Sequence, residues 1–170
     1  MLKTLFQMCN LVHKYNIPGP RYTSYPTVPY WNMDTFSGKA WKSTLKKSFE
    51  ESNAKEGISL YIHLPFCEQM CTFCGCHKRI TKRHEVEKPY INTLLKEWNL
   101  YCELFEAKPI IKELHLGGGT PTFFSPEHLK ILINGIFRHA ERAENYEFSF
   151  EGHPNNTTRA HLQVLFDLGF

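Results

Sequence analysis

The 170-residue chain has no run approaching the roughly 20 apolar residues that a membrane-spanning helix needs. Its first residues, MLKTLFQMCNLVHKYN, are interrupted by Gln7, Asn10 and His13, so they lack the apolar core of a secretory signal. Charge bias is missing too, because a formal net charge of +3 gives no electrostatic footprint for nucleic acid. No internal repeat marks a solenoid. Such a chain is expected in the cytoplasm, where a reducing environment disfavours disulfides. Six cysteines in that setting, four of them between Cys67 and Cys76, point to metal or redox chemistry instead.

What the chain does have is apolar and aromatic content, 42% and 14% of its residues, enough for a sizeable core. Three regions differ in pattern. The first 30 or so residues combine an amphipathic helix, with Leu5, Phe6, Cys9 and Val12 near one face, and the Pro- and Gly-rich stretch IPGPRYTSYPTVPYW. Proline fixes φ and removes a donor, so that stretch is expected to run extended. Residues 34–53 place Trp41, Leu45 and Phe49 at helical spacing. From Gly57 onward, strand and helix patterns alternate, which divides the chain into an arm and helix, 1–56, and a core, 57–170.

In the core, ISLYIHLPF (58–66) reads as a buried strand, followed by the cysteine loop. Glu85–Phe105 reads as a helix, with Val86, Tyr90, Leu94, Trp98 and Cys102 as its stripe. Ile110–Leu116 is the second strand, closed by Gly117-Gly118-Gly119-Thr120-Pro121. Ser125-Pro126-Glu127 starts a helix striped by Leu129, Leu132, Ile133, Ile136 and Phe137. Tyr146–Glu151 is the third strand, and a last helix spans about Thr157–Leu168 with Gly169 as its cap. This order predicts an α/β fold of parallel βα units. A complete eightfold barrel takes about 250 residues, whereas 170 residues hold about three units. The chain is therefore expected to be the front part of a longer protein, inactive alone, because its sheet edge is unpaired and its cavity lacks walls.

Cys67, Cys71 and Cys74 form a C-x3-C-x2-C run directly after the first strand. Cubane clusters are held by cysteine thiolates, and three on one loop can bind three irons of a [4Fe-4S] cluster and leave the fourth open. The loop leaves the C-terminal end of a strand, where barrel active sites sit. A zinc knuckle is the rival, with His63 and His77 near by, although zinc sites favour separated C-x2-C pairs. The glycine run has two readings, a tight βα turn or a backbone able to approach a ligand closely. Cys9 and Cys102 fall on apolar helical faces and read as small buried hydrophobes. His63, inside the first strand, reads as a structural hydrogen-bonding residue.

YIHLPFCEQMCTFCGC, from Tyr61 to Cys76, resembles the radical S-adenosylmethionine (SAM) superfamily and is particularly similar to its oxygen-independent coproporphyrinogen III oxidase family. KYNIPGPRYTSYPT (14–27) resembles the arm preceding the barrel in that family, and the similarity extends over essentially all 170 residues. The resemblance implies the N-terminal part of a radical SAM partial barrel. It implies Cys67, Cys71 and Cys74 as cluster ligands and Cys76 as a catalytic-site residue that does not ligate iron. The heme chaperones of the same superfamily generally lack that fourth cysteine and this form of the arm. Tyr61, Gly118 and Glu151 correspond to contacts with a SAM on the cluster, and Phe73, Gly119 and Thr120 to contacts with a second SAM. Relatives commonly carry Glu-x-Asp-Pro where this chain has Glu151-Gly152-His153-Pro154, so His153 receives no role.

The implied reaction is oxidative decarboxylation of two propionates of coproporphyrinogen III to vinyl groups, giving protoporphyrinogen IX in heme synthesis. An electron donor for the cluster is implied, and the full-length protein is expected to be monomeric. Arg21 offers a planar fork for a propionate, with the aromatic faces of Tyr22 and Tyr25 beside it. The alternative function is heme carriage without decarboxylation; further off stands an electron-transfer or zinc module.

Overall fold

The computed structural model describes residues 11, 13–16, 30–32, 34 and 36–170. Arg21, Tyr22, Tyr25 and Cys9 lie outside the described residues. Packing divides the chain into two units, residues 1–37 and 38–170. Helix α1 (Gly38–Ser52) falls in the second; the 56/57 division drawn above is one of sequence pattern.

The second unit runs β1 (Ile58–Leu64), β2 (Phe66–Cys67), β3 (Arg79–Ile80), α2 (Glu87–Leu104), β4 (Ile110–Gly118), α3 (Pro126–Phe137), β5 (Glu141–Phe150) and α4 (Arg159–Asp167). Single 3₁₀ turns at His84–Val86 and Pro121–Phe123 lead towards α2 and α3. Strands β1, β4 and β5 form one sheet in that order, with both pairs parallel. Parallel neighbours need a crossover, and α2 and α3 supply it.

The helices form where the sequence stripes predict. Ser125 caps α3 by accepting a hydrogen bond from the His128 amide, with Pro126 at the first position. Leu129, Leu132, Ile133 and Ile136 of that helix are 0–1% exposed; burying each contributes about 1.5–3 kcal/mol. Thr158 and His161 cap α4 reciprocally: each backbone N–H bonds the other's side chain. The other His161 nitrogen, Nε2, donates to the Phe124 carbonyl 3.0 Å away. On α2, buried Trp98 donates from Nε1 to the Ile136 carbonyl at 3.1 Å. Phe49 of α1 stacks on Phe105, and Asn53 bonds the Lys108 carbonyl and the Ile110 amide. These contacts hold α1 to the sheet.

Alternation sorts the sheet into two faces. Ile62, Leu64, Leu114, Leu116 and Phe148 enter the helix-covered core. Between them lie Ser59, Tyr61 and His63 on β1, Glu113 and His115 on β4, and Ser149 on β5. Cross-strand bonds join this polar set: Ser59 to Glu113, and His115 Nδ1 to the Ser149 hydroxyl at 2.8 Å.

Several boundaries shift by a few residues, β4 among them, which runs on to Gly118 rather than ending at Leu116; two differences are larger. Strand β5 begins at Glu141 rather than Tyr146. Its pairing steps from Arg142 to Glu147 while β4 steps only from Ile111 to Glu113, so residues 143–146 bulge and carry no apolar alternation to read. The parallel pair β2–β3 was also unforeseen; it closes the base of the cysteine loop with only two residues per strand.

Candidate functional site

Because β1, β4 and β5 are parallel and in register, their C-terminal ends lie together, with Leu64 paired to Gly118 and Leu116 to Phe150. Three loops leave from that edge: the cysteine loop, the glycine run and the segment beginning at Glu151. They surround a cavity of about 280 Å³. Cys67, Cys71, Cys74 and Cys76 line it, together with Phe73, Gly118, Gly119, Thr120, Glu151 and His153.

Backbone hydrogen bonds zip the loops to one another. The Gly119 amide donates to the Leu64 carbonyl at 2.8 Å and that of Thr120 to Phe66 at 3.0 Å. On the other side, Arg79 donates to Pro65 at 2.7 Å and Thr81 to Cys67 at 2.9 Å. A Cβ on Gly119 would stand 2.6 Å from the Pro65 carbonyl, so only glycine permits this approach. Gly118 has φ of +115°, a backbone state open chiefly to glycine, and its missing Cβ faces the His63 ring. The glycine run is therefore required by packing as well as lining the cavity.

The four loop cysteines are free thiols. The Cys76 backbone N–H, bonded to the sulfur of Cys74, holds that thiol below its ordinary value, and Lys78 acts in the same direction. Desolvation and the neighbouring Cys74 push the Cys76 thiol up. Cys67 places Sγ 3.3 Å from the Thr120 hydroxyl. A donor set of soft thiolates on one loop fits an iron–sulfur cluster. Among the described residues, no three His, Cys, Asp or Glu side chains are grouped to hold one metal ion. A cubane does not ask for that convergence, since each cysteine binds a different iron. The residues present thus fit the group in type and placement around one cavity.

Glu151 directs Oε2 to the Gly118 amide at 3.3 Å and holds Oε1 3.7 Å from His115 Nε2. Tyr61 does not line this cavity; it projects from the polar sheet face, stacked on His115, with its hydroxyl 3.0 Å from His63 Nδ1. Desolvation, followed by Glu151 and Cys76, raises the Tyr61 hydroxyl above its ordinary value. Phe73 is 99% exposed and Tyr61 55%, so neither is a core residue. Sequence reasoning missed His115, which lies between Tyr61 and Glu151, and Ser149, whose hydroxyl bonds it. Their signal was period-two polarity along β4 and β5, masked by the apolar residues between them.

His153 has a local explanation. Its Nδ1 accepts from the Asn155 amide at 3.2 Å. An aspartate makes the same turn with its carboxylate. Thr122, buried beneath, bonds the side chains of Asn156 and Thr157 and steadies the loop.

The architecture is that of a radical SAM protein: parallel α/β, with a cysteine loop after the first sheet strand and a glycine run after the second. In the solved structures it matches coproporphyrinogen III oxidase from Escherichia coli, a radical SAM enzyme, with a TM-score of 0.77 and 30% identity. That match covers 95% of this chain and 34% of the other. In sequence the chain is 39% identical over 160 residues to the oxygen-independent coproporphyrinogen III oxidase of Helicobacter pylori strain ATCC 700392 / 26695, covering 92% of this chain and 34% of that protein. It is 32% identical over 172 residues to the enzyme of the same name from Pseudomonas aeruginosa, covering 100% of this chain and 36% of that protein. No family model matches. The chain spans about a third of the length of the curated relatives it matches. The resemblance drawn from the cysteine loop and the arm is borne out, and so is the α/β fold. Among the described residues, no helix is long and apolar enough to cross a membrane.

Proposed function

We propose that this chain carries the cluster loop and part of the SAM site of an oxygen-independent coproporphyrinogen III oxidase acting in cytoplasmic heme synthesis. The observation that carries the reading is the gathering of Cys67, Cys71, Cys74 and Cys76 with Phe73, Gly118, Gly119, Thr120 and Glu151 around one cavity. Cys67, Cys71 and Cys74 would hold a [4Fe-4S] cluster, and Cys76 would remain a thiol beside it.

When bound, the reduced cluster and SAM supply the one-electron chemistry that removes hydrogen from a propionate β-carbon; loss of CO2 and of one electron to an acceptor then leaves the vinyl group. The chain's own residues bind and orient. Glu151 offers the carboxylate oxygens that suit ribose hydroxyls of one SAM, with Gly118 and Tyr61 on the same molecule. Phe73, Gly119 and Thr120 are assigned to a second. Arg21 is assigned to a substrate propionate. An external electron donor and a monomeric full-length protein complete the proposal.

Anaerobic incubation with iron and sulfide tests it. The expected product is a brown protein with the paramagnetic signal of a reduced [4Fe-4S] cluster, which SAM perturbs. With coproporphyrinogen III, the protein containing all the segments its relatives have should release protoporphyrinogen and 5′-deoxyadenosine. Heme binding with no SAM cleavage would favour the chaperone, and a colourless zinc-loaded protein would remove the radical SAM reading.

A further inference from the structure

The least expected buried group is Glu87, the first residue of α2, whose side chain is 2% exposed. Taking a carboxylate out of water is costly unless it is fully hydrogen-bonded. Glu87 is: Oε1 accepts from His84 Nδ1 at 2.6 Å, and Oε2 accepts from His128 Nδ1 at 2.6 Å and the Ser125 amide at 2.8 Å. It stands at the N-terminal ends of α2 and α3, where helix dipoles favour an anion. An apolar side chain would fill this space at lower cost, so the charge calls for a further account.

The account lies in what His84 does with its other nitrogen. Nε2 is 3.3 Å from the carboxylate of Glu68, the residue after Cys67. A carboxylate beside each nitrogen favours the protonated ring, in which both nitrogens carry N–H. Its face stacks on Phe123, with centroids 4.4 Å apart and planes 14° apart. Phe123 ends the turn that follows Thr120, so one ring contacts the cysteine loop and the glycine-run segment together.

We propose that Glu87, through His84, is a positioning residue that clamps the cysteine loop against the glycine-run segment and so sets where Cys67 stands relative to Thr120. Its role towards a cluster rests on the reading above. Partners that orient ligating residues typically change metal affinity roughly 10–100-fold when lost.

Hydrogen exchange on the metal-free protein and iron release to a chelator from the reconstituted protein test the clamp, using His84→Ala and Glu87→Gln. His84 is half exposed, so His84→Ala cuts the link while leaving the core filled. The expected result is faster exchange confined to residues 66–69 and 79–82, with β1 and β4 as protected as before. Iron release should quicken roughly tenfold or more. Exchange unchanged in the loop, or faster throughout the sheet, would overturn the clamp, as would an unaltered release rate. If Glu87→Gln does not fold, His84→Ala alone decides. If the unaltered protein assembles no cluster, the cluster reading fails, and the exchange measurement still decides whether the clamp exists.

Discussion

Cys67 Sγ and Thr120 Oγ1 lie 3.3 Å apart, joining the first residue of the cysteine run to the last position of the glycine run before its proline. Once Cys67 is a thiolate, the hydroxyl is the donor. Hydrogen bonds to a cluster's sulfurs favour its reduced form. Thr120→Val keeps the shape and removes the donor. A bond worth about 0.5–1.5 kcal/mol corresponds to a midpoint potential lower by roughly 20–60 mV for one electron. Redox titration of the two reconstituted proteins checks this, and equal potentials would leave the contact without effect on the cluster.

Gly119→Ala should damage the same junction by crowding. The added methyl meets the Pro65 carbonyl carbon and oxygen at 2.6 Å, and these are backbone atoms with little room to give. Overpacking of this kind costs about 1–3 kcal/mol, a melting temperature lower by roughly 2–12 °C for a chain of this size. Gly38→Ala is the control, because a Cβ there meets nothing within 4 Å. Its change in stability should stay within about 0.5 kcal/mol. Thermal melts of the two variants separate the expectations.

Periodicity carried the sequence reading where it was unmixed. The α3 stripe, the Ser125 start and the succession of parallel βα units followed from local patterns, while the last helix, read from about Thr157, is capped one residue later by Thr158. Strand β5 began earlier than read because residues 143–146 bulge out of the ladder. Pair β2–β3 was illegible because two residues hold no period. Glu87 carried no burial signal at all, since an acid at a helix start reads as solvated; only the folded chain brings His84, His128 and Ser125 to it. In the site, spacing exposed the cysteines, whereas His115 and Ser149 became neighbours through strand register alone.

Thiol chemistry should separate the cysteines. Burial on α2 pushes the Cys102 thiol up to about 11, so almost none is thiolate at neutral pH. In the metal-free protein, iodoacetamide should label Cys67, Cys71, Cys74 and Cys76 and spare Cys102, as read by peptide mass spectrometry. After anaerobic cluster assembly, Cys67, Cys71 and Cys74 should be protected and Cys76 still labelled. Protection of Cys76 with labelling of any of the other three would overturn the ligand set.

The placement of His84 between Glu87 and Glu68 predicts a pH dependence of stability in the metal-free protein. Hydrogen bonding to Glu87, with its charge and that of Glu68, raises His84 above its ordinary 6.5. The neighbouring cation, Arg83, is engaged by Glu85 at 2.7 Å and does not compete. A group whose pKa is higher folded than unfolded binds its proton more tightly in the folded state. Its contribution is therefore complete below the unfolded value, about 6.5, and is lost as pH rises through the folded one. Wild-type protein should thus melt above His84→Gln by the widest margin below about pH 6.5, with the margin narrowing at higher pH. Half-exposure of the ring limits the electrostatic part to about 1 kcal/mol or less. A margin that grew with rising pH would mean that His84 is neutral where it binds Glu87.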